Sequence, residues 1–148
     1  MKTTLRLSTL TLIFTLIMVC TAYAKAPIVG KWKTIDDETN EPKSIVEITE
    51  REGKYYGKIV KLFLKEGDDP NPICDECADD DDRKNKPTVG LEIIRDMELD
   101  GKKYEGGTIL DPKDGKVYKC KLWVEEDNLM VRGYIAFFFR TQTWLPVE

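Results

Sequence analysis

Tyr104-Glu105-Gly106-Gly107-Thr108-Ile109-Leu110-Asp111-Pro112-Lys113-Asp114-Gly115-Lys116-Val117-Tyr118-Lys119-Cys120-Lys121-Leu122-Trp123-Val124-Glu125 is the stretch that decides the fold. Two β-rich runs, Tyr104 to Leu110 and Lys116 to Glu125, flank a turn in which Pro112 presets one φ and Gly115 is free to take the left-handed position. In the second run Lys119 and Lys121 alternate with Cys120 and Leu122, the period of two expected of a half-buried strand. This is the grammar of an antiparallel hairpin, and it repeats in both directions along the chain.

Upstream, Val29 to Ile35 reads as a first strand, ended by the polar cluster Asp36 to Asn40. Lys43 to Thr49 follows, and Glu52-Gly53 turns the chain into Lys54 to Leu64, rich in tyrosine and β-branched residues. Downstream, Asp127-Asn128 makes a turn, and Leu129 to Phe139 and Thr141 to Val147 complete the chain. Val89 to Met97 fits a short helix as well as a strand. Roughly seven or eight strands with short connections predict an all-β fold, a small antiparallel up-and-down barrel, with an open sandwich as the alternative.

One connection is not short. Between Glu66 and Lys86 the acids crowd together, ending in Asp79-Asp80-Asp81-Asp82, with Pro70, Pro72, Cys74 and Cys77 among them. The expectation is a long acidic surface loop. The aspartate run fails the EF-hand template, since Lys84 stands where the sharp turn needs glycine, and no metal site is expected. Cys74-Asp75-Glu76-Cys77 fits a structural disulfide, a redox dithiol or half of a metal site. Its acidic neighbours raise thiol pKa values and disfavour a reactive thiolate. Spacing leaves the pairing open: Cys74 to Cys77 rigidifies one loop, Cys77 to Cys120 closes a much longer one, and Cys120 is equally at home as a buried free thiol.

The first 24 residues read differently. Lys2 and Arg6 precede an apolar run from about Leu10 to Cys20, and Ala22-Tyr23-Ala24 closes it: a basic region, a hydrophobic region and a cleavage site for an export signal. The run falls short of the roughly 20 residues that span a bilayer. Cleavage after Ala24 would leave residues 25–148 as one domain with a charge of −6, since two cations leave a chain whose formal charge is −4. Cys20 as a lipidated residue is the weaker reading, because bulky Val19 precedes it. A periplasmic or secreted protein with no membrane span in its mature form is expected.

The 148-residue chain contains no histidine. That excludes histidine-based nucleophilic sites, general acids and bases, and zinc sets. The acid excess offers no footprint for nucleic acid. Glu105 and Asp111 share a strand, but aspartate before proline is ordinary turn chemistry, so no catalytic residue and no cofactor is assigned.

Gly30-Lys31-Trp32 opens the first strand, and Arg140-Thr141-Gln142-Thr143-Trp144 lies on the last. In lipocalin-type barrels an arginine near the final strand crosses the barrel end and stacks on the tryptophan of G-x-W, a contact that joins cation–π attraction to guanidinium donors. Gly30, Trp32, Arg140 and Trp144 are therefore the expected closure. Further blocks stand in order between them: Tyr56-Gly57-Lys58-Ile59-Val60, Cys74-x-x-Cys77, Glu105-Gly106-Gly107 running through Asp111-Pro112 to Cys120, and Val131-Arg132-Gly133-Tyr134. Together they resemble the small exported bacterial proteins called domain of unknown function 2147, with one departure, Phe139 where glycine often precedes the final arginine. The resemblance implies a lipocalin-like barrel in a Gram-negative exported protein; it implies no activity.

On the strand from Leu129, one face carries Leu129, Val131, Gly133 and Ile135, the other Met130, Arg132, Tyr134, Ala136 and Phe138. Arg132-x-Tyr134 is similar to the pair with which fatty-acid-binding barrels hold a carboxylate. Met130, Arg132 and Tyr134 are therefore the expected interior ligand residues, for a small hydrophobic or amphipathic, in one version anionic, molecule. The competing expectations are an envelope interaction module, using the acidic loop or an outward Trp123, and a thiol redox protein using Cys74 and Cys77.

Overall fold

The computed structural model describes residues 27–148, so the expected leader and its cleavage point lie outside the described residues. Those residues form nine strands: β1 (Gly30–Ile35), β2 (Pro42–Arg51), β3 (Lys54–Leu62), β4 (Glu92–Asp100), β5 (Lys103–Glu105), β6 (Thr108–Asp111), β7 (Lys116–Glu125), β8 (Asn128–Ile135) and β9 (Phe138–Pro146). All pairings are antiparallel, and the order β3-β2-β1-β9-β8-β7-β5-β4 closes because β3 pairs back onto β4. Both β5 and β6 lie between β4 and β7. They are two halves of one stave, which makes an eight-stave closed barrel rather than an open sandwich.

The break between β5 and β6 explains a misleading periodicity. A Cβ on Gly107 would sit 2.1 Å from the Arg95 carbonyl oxygen and 2.6 Å from Met97 Sδ, so only glycine fits where the two backbones meet. On the facing strand Asp96 bulges with φ +58°. That bulge resets the alternation, and Ile94 and Met97, three residues apart, both point fully inward. The spacing imitates a helix; residues 92–100 are a strand.

A second departure lies at the last hairpin. The reading of Leu129 to Phe139 as one strand is corrected: β8 ends at Ile135, Ala136-Phe137 turns, and Ile135 pairs with Phe138. Ala136 takes φ +50° there without being glycine or asparagine, so the usual turn signature is absent.

Because the strands alternate in direction, the connections sort to two ends. The tight β2–β3, β4–β5 and β7–β8 turns close one end, which is filled by Trp32, Ile48, Tyr55, Met97, Tyr104, Leu122 and Leu129, all buried. Tyr55 and Tyr104 pack edge to face, centroids 4.7 Å apart, and Trp32 Nε1 donates to the Ile28 carbonyl at 2.8 Å. Residues of this kind contribute about 1.5–3 kcal/mol each on burial. Cys120 is buried among them as a free cysteine, and desolvation pushes its thiol up to about 12.

The other end carries the β1–β2 turn, the long loop from residue 63 to 91, the β6–β7 turn and the β8–β9 turn. The loop is ordered by its own chemistry. Cys74 and Cys77 are joined by a disulfide, and both are buried. Cys74 N donates to Lys86 O and Asn85 N to Cys74 O, each at 2.9 Å. Arg83, 5% exposed, clasps Asp81 through Nε at 2.8 Å and Nη2 at 2.6 Å. Arg95 on β4 holds Asp82 at 2.6 and 3.0 Å. The loop also leans on the β6–β7 turn: a Cβ on Gly115, whose φ is +67°, would lie 1.8 Å from the Glu76 carbonyl oxygen. Only a residue without a side chain lets the two backbones touch.

Candidate functional site

Filling one end and opening the other leaves a cavity of about 780 Å³ in the upper half of the barrel, within the roughly 300–1,000 Å³ range of small-molecule sites. Its floor is apolar: Trp144, Val131, Ile59 and Leu110 are buried beneath it. Leu62, Ile93 and Ile109 continue the wall. Gly133 leaves a dent there, with Tyr118 Cβ 3.6 Å and Ile109 Cγ2 3.9 Å from where its own Cβ would be.

Polar groups begin higher up. The Thr34 and Ser44 hydroxyls, 2.7 Å apart, satisfy each other, and Thr34 Oγ1 accepts from Ser44 N at 3.0 Å. From the floor a chain of bonds climbs to the rim: Trp144 Nε1 donates to Gln142 Oε1 at 3.3 Å, and Gln142 Nε2 donates to Asp37 Oδ2 at 2.8 Å. Arg140 closes it by pairing with the same Asp37 carboxylate. The Tyr118 hydroxyl donates to Asp114 Oδ2 at 3.4 Å, and burial together with that carboxylate pushes the phenol up, so it stays a donor at neutral pH. Lys43, Lys113, Asp68, Asp69, Asp75 and Asp111 complete the mouth. Three of these carboxylates serve their own turns: Asp68 accepts from Lys65 N, Asp69 from Asn71 N and Asp111 from Lys113 N. The long acidic loop therefore walls the cavity instead of hanging free of it.

The expected ligand residues lie elsewhere. Leu129, Val131 and Gly133 point inward, so Met130, Arg132 and Tyr134 occupy the outer face of β8. The all-apolar set fills the core, and the cation stays out: Arg132 donates from Nε to Thr141 Oγ1 at 2.7 Å, and its guanidinium lies 5.0 Å over Trp123 and 4.4 Å over Phe139. Trp123 is outward, as expected, with Nε1 on Glu125 Oε2 at 3.0 Å.

The expected closure is corrected too. Gly30 and Trp32 open β1 and Trp144 lies on β9, but Arg140 stacks on neither tryptophan. Trp32 pairs with Pro146. Arg140, six residues earlier on β9, is about 20 Å away at the ordinary strand rise, beside Asp37 at the mouth. Sequence reasoning thus misplaced Arg140 and missed Asp37, Gln142 and Tyr118.

Both sulfurs of the disulfide are buried, which supports a structural bridge and gives an attacking thiol no path. Among the described residues no group of three or more His, Cys, Asp or Glu side chains is placed to hold a metal ion, and no helix is long and apolar enough to cross a membrane.

No curated protein matches the chain. Among solved structures, protein HP1028 from the human pathogen Helicobacter pylori, described as belonging to the lipocalin family, superposes with a TM-score of 0.69 at 19% identity, over 82% of this chain and 83% of its own. At that identity the likeness is one of fold, and the fold here is a lipocalin-like barrel. The model of the family described as "Uncharacterized protein conserved in bacteria (DUF2147)" matches residues 30–145, from the opening of β1 to one residue short of the end of β9, and the chain belongs to that family.

Proposed function

We propose that this protein is an exported, non-catalytic carrier that holds a small amphipathic molecule in its barrel within the cell envelope. The observation that carries the reading is the half-filled barrel: an apolar floor about Trp144 and Val131 under a polar mouth, in a cavity of about 780 Å³. An apolar tail gains by leaving water for that floor, and a polar end meets donors on Arg140, Gln142 and Lys43 at the mouth. With Arg132 outside, the reason to expect an anionic ligand falls away. Export is supported by residues 1–24 and by a buried disulfide, which suits an oxidising compartment.

Native mass spectrometry of protein recovered from the envelope fraction tests the reading. A lipid-like bound mass is expected, lost in Gly133→Leu, which fills the dent in the wall. A clean unliganded spectrum, with no uptake from a panel of acyl compounds, would overturn it.

A further inference from the structure

The β8–β9 hairpin presents its apolar side chains to solvent. Phe137 is 97% exposed, Phe138 80% and Phe139 60%, with Ile135 and Val117 beside them about half exposed. Phe137 and Phe138 contribute little burial to the fold, and contiguous exposed apolar surface of this kind marks an interaction site. Ile135, Phe138 and Phe139 also line the mouth of the cavity, so the patch is continuous with the entrance.

Two observations choose the occupant. The first is area and contour. At about 200 Å² per phenylalanine the tip offers about 500 Å² of apolar surface, close to the apolar share of the roughly 800 Å² that each partner contributes to a stable protein interface. A second copy of the chain must also supply a matching contour and a polar rim, whereas a lipid surface needs neither.

The second is charge. The chain as a whole is acidic, yet β8 and β9 carry Arg132 and Arg140 and no carboxylate, and the part of β7 beside the tip carries Lys116 and Lys119. Lys119 pairs in register with Tyr134, close under the tip. Asp37 is taken up by Arg140 and Asp114 by Lys116, and among the described residues Lys113, Lys119 and Arg132 form no ion pair. Aromatic rings at a tip with free cations behind them complement an anionic headgroup layer over an apolar interior.

We propose that the β8–β9 hairpin is a lipid-surface anchor, inserting Phe137 and Phe138 into an anionic membrane leaflet so that the barrel mouth opens against it. The anchor stands whether or not the cavity takes a ligand.

The test is co-sedimentation with vesicles of equal parts phosphatidylethanolamine and phosphatidylglycerol, using the protein as the producing cell leaves it, with its N-terminus read by mass spectrometry. Phe137→Ser/Phe138→Ser should lower the partition about tenfold or more. Any contribution of residues 1–24 is common to both proteins and cancels in that comparison. Lys113→Glu/Lys119→Glu should weaken binding to these vesicles at low salt and leave binding to pure phosphatidylcholine unchanged. Phe137→Trp should bind like the parent and gain fluorescence quenched by brominated acyl chains, which reads insertion directly even where the double serine variant folds poorly.

A folded double serine variant that partitions like the parent overturns the anchor. So does a parent dimer in analytical ultracentrifugation that the same variant abolishes, since the tip then meets a second copy. Retention of a cavity-bound mass by the double serine variant separates this proposal from the carrier reading: either fails without the other.

Discussion

Arg83→Met is the sharpest perturbation of the loop that walls the cavity. The Arg83 guanidinium is nearly enclosed and makes three bonds to polar partners at 2.6–3.2 Å, two on Asp81 and one on the Glu92 carbonyl. Its hydrogen bonds are the main reason that the Asp81 carboxyl falls from the ordinary 3.8 to about 2, against the opposing effect of desolvation. The Asp81 side chain is 14% exposed, so solvent screens the pair only weakly. A fall of nearly two pKa units corresponds to about 2 kcal/mol. The folded pKa lies below the unfolded one, so this stabilisation is fully present above about pH 4 and is lost as the pH falls through about 2. Methionine keeps the apolar stem and removes the partner. The variant should therefore lose about 2 kcal/mol of unfolding free energy at pH 7, about 1 at pH 3 and a few tenths near pH 2. Urea denaturation followed by near-UV circular dichroism at those three pH values measures the gap, and the same gap measured between Asp81→Asn and Asp81→Asn/Arg83→Met should show no such pH dependence. A gap that holds constant on acidification, or that is absent at pH 7, would refute the assignment of the pair as the loop's anchor.

Other outcomes follow from the same structure. Arg132→Met should leave the cavity-bound mass unchanged, because the side chain lies on the outer face against Trp123 and Phe139, whereas Gly133→Leu should displace that mass and keep a cooperative melt; the reverse pattern in native mass spectrometry would restore Arg132 as a ligand residue. Gly115→Ala should lower stability by about 1–3 kcal/mol in urea titration, since its Cβ meets the Glu76 carbonyl at 1.8 Å and its φ is +67°; a neutral effect would mean that the loop does not rest on this turn. Cys120, with its thiol pushed up to about 12 by burial, should resist iodoacetamide at pH 8 in the folded protein and react at once in urea, as read by intact mass.

Much of the barrel was legible because its signals are local. Pro112 and Gly115 announced one turn, Glu52-Gly53 another, and the alternation through Cys120 and Leu122 gave β7 its register with respect to the core. The features that escaped are those in which two distant backbones meet. The bulge at Asp96 answers the approach of Gly107, and it converts a strand's period of two into the three-residue spacing of Ile94 and Met97. The turn at Ala136-Phe137 has no turn-forming residue at all, so a strand appeared to run through it. The disulfide pairing depended on how the loop folds back on Lys86 and Asn85, which spacing does not contain.

The inverted face of β8 is a different case, because the sequence holds the face even with the turn misplaced by one residue. The expected turn at Asp127-Asn128 lies one residue off, since Glu126 and Asp127, both with positive φ, make it; the shift moves the pairing by two residues and leaves the faces unchanged, and a tight turn fixes which residues oppose each other. With Glu125 opposite Asn128, Lys121 falls opposite Arg132 and Lys119 opposite Tyr134, as the structure has them. Side chains directly across an antiparallel pair share a face. An inward Arg132 therefore brings Lys121 and Lys119 inward with it, three cations inside a barrel with few carboxylates to meet them, at a desolvation cost that no such core recovers. Turned the other way, Leu122 and Cys120 accompany Val131 and Gly133 into the core, and the cations reach water. The face of a strand is set by what lies across from it as much as by its own alternation, and here that second condition moves the polar end of the site from Arg132 to the Asp37, Arg140 and Gln142 cluster at the mouth.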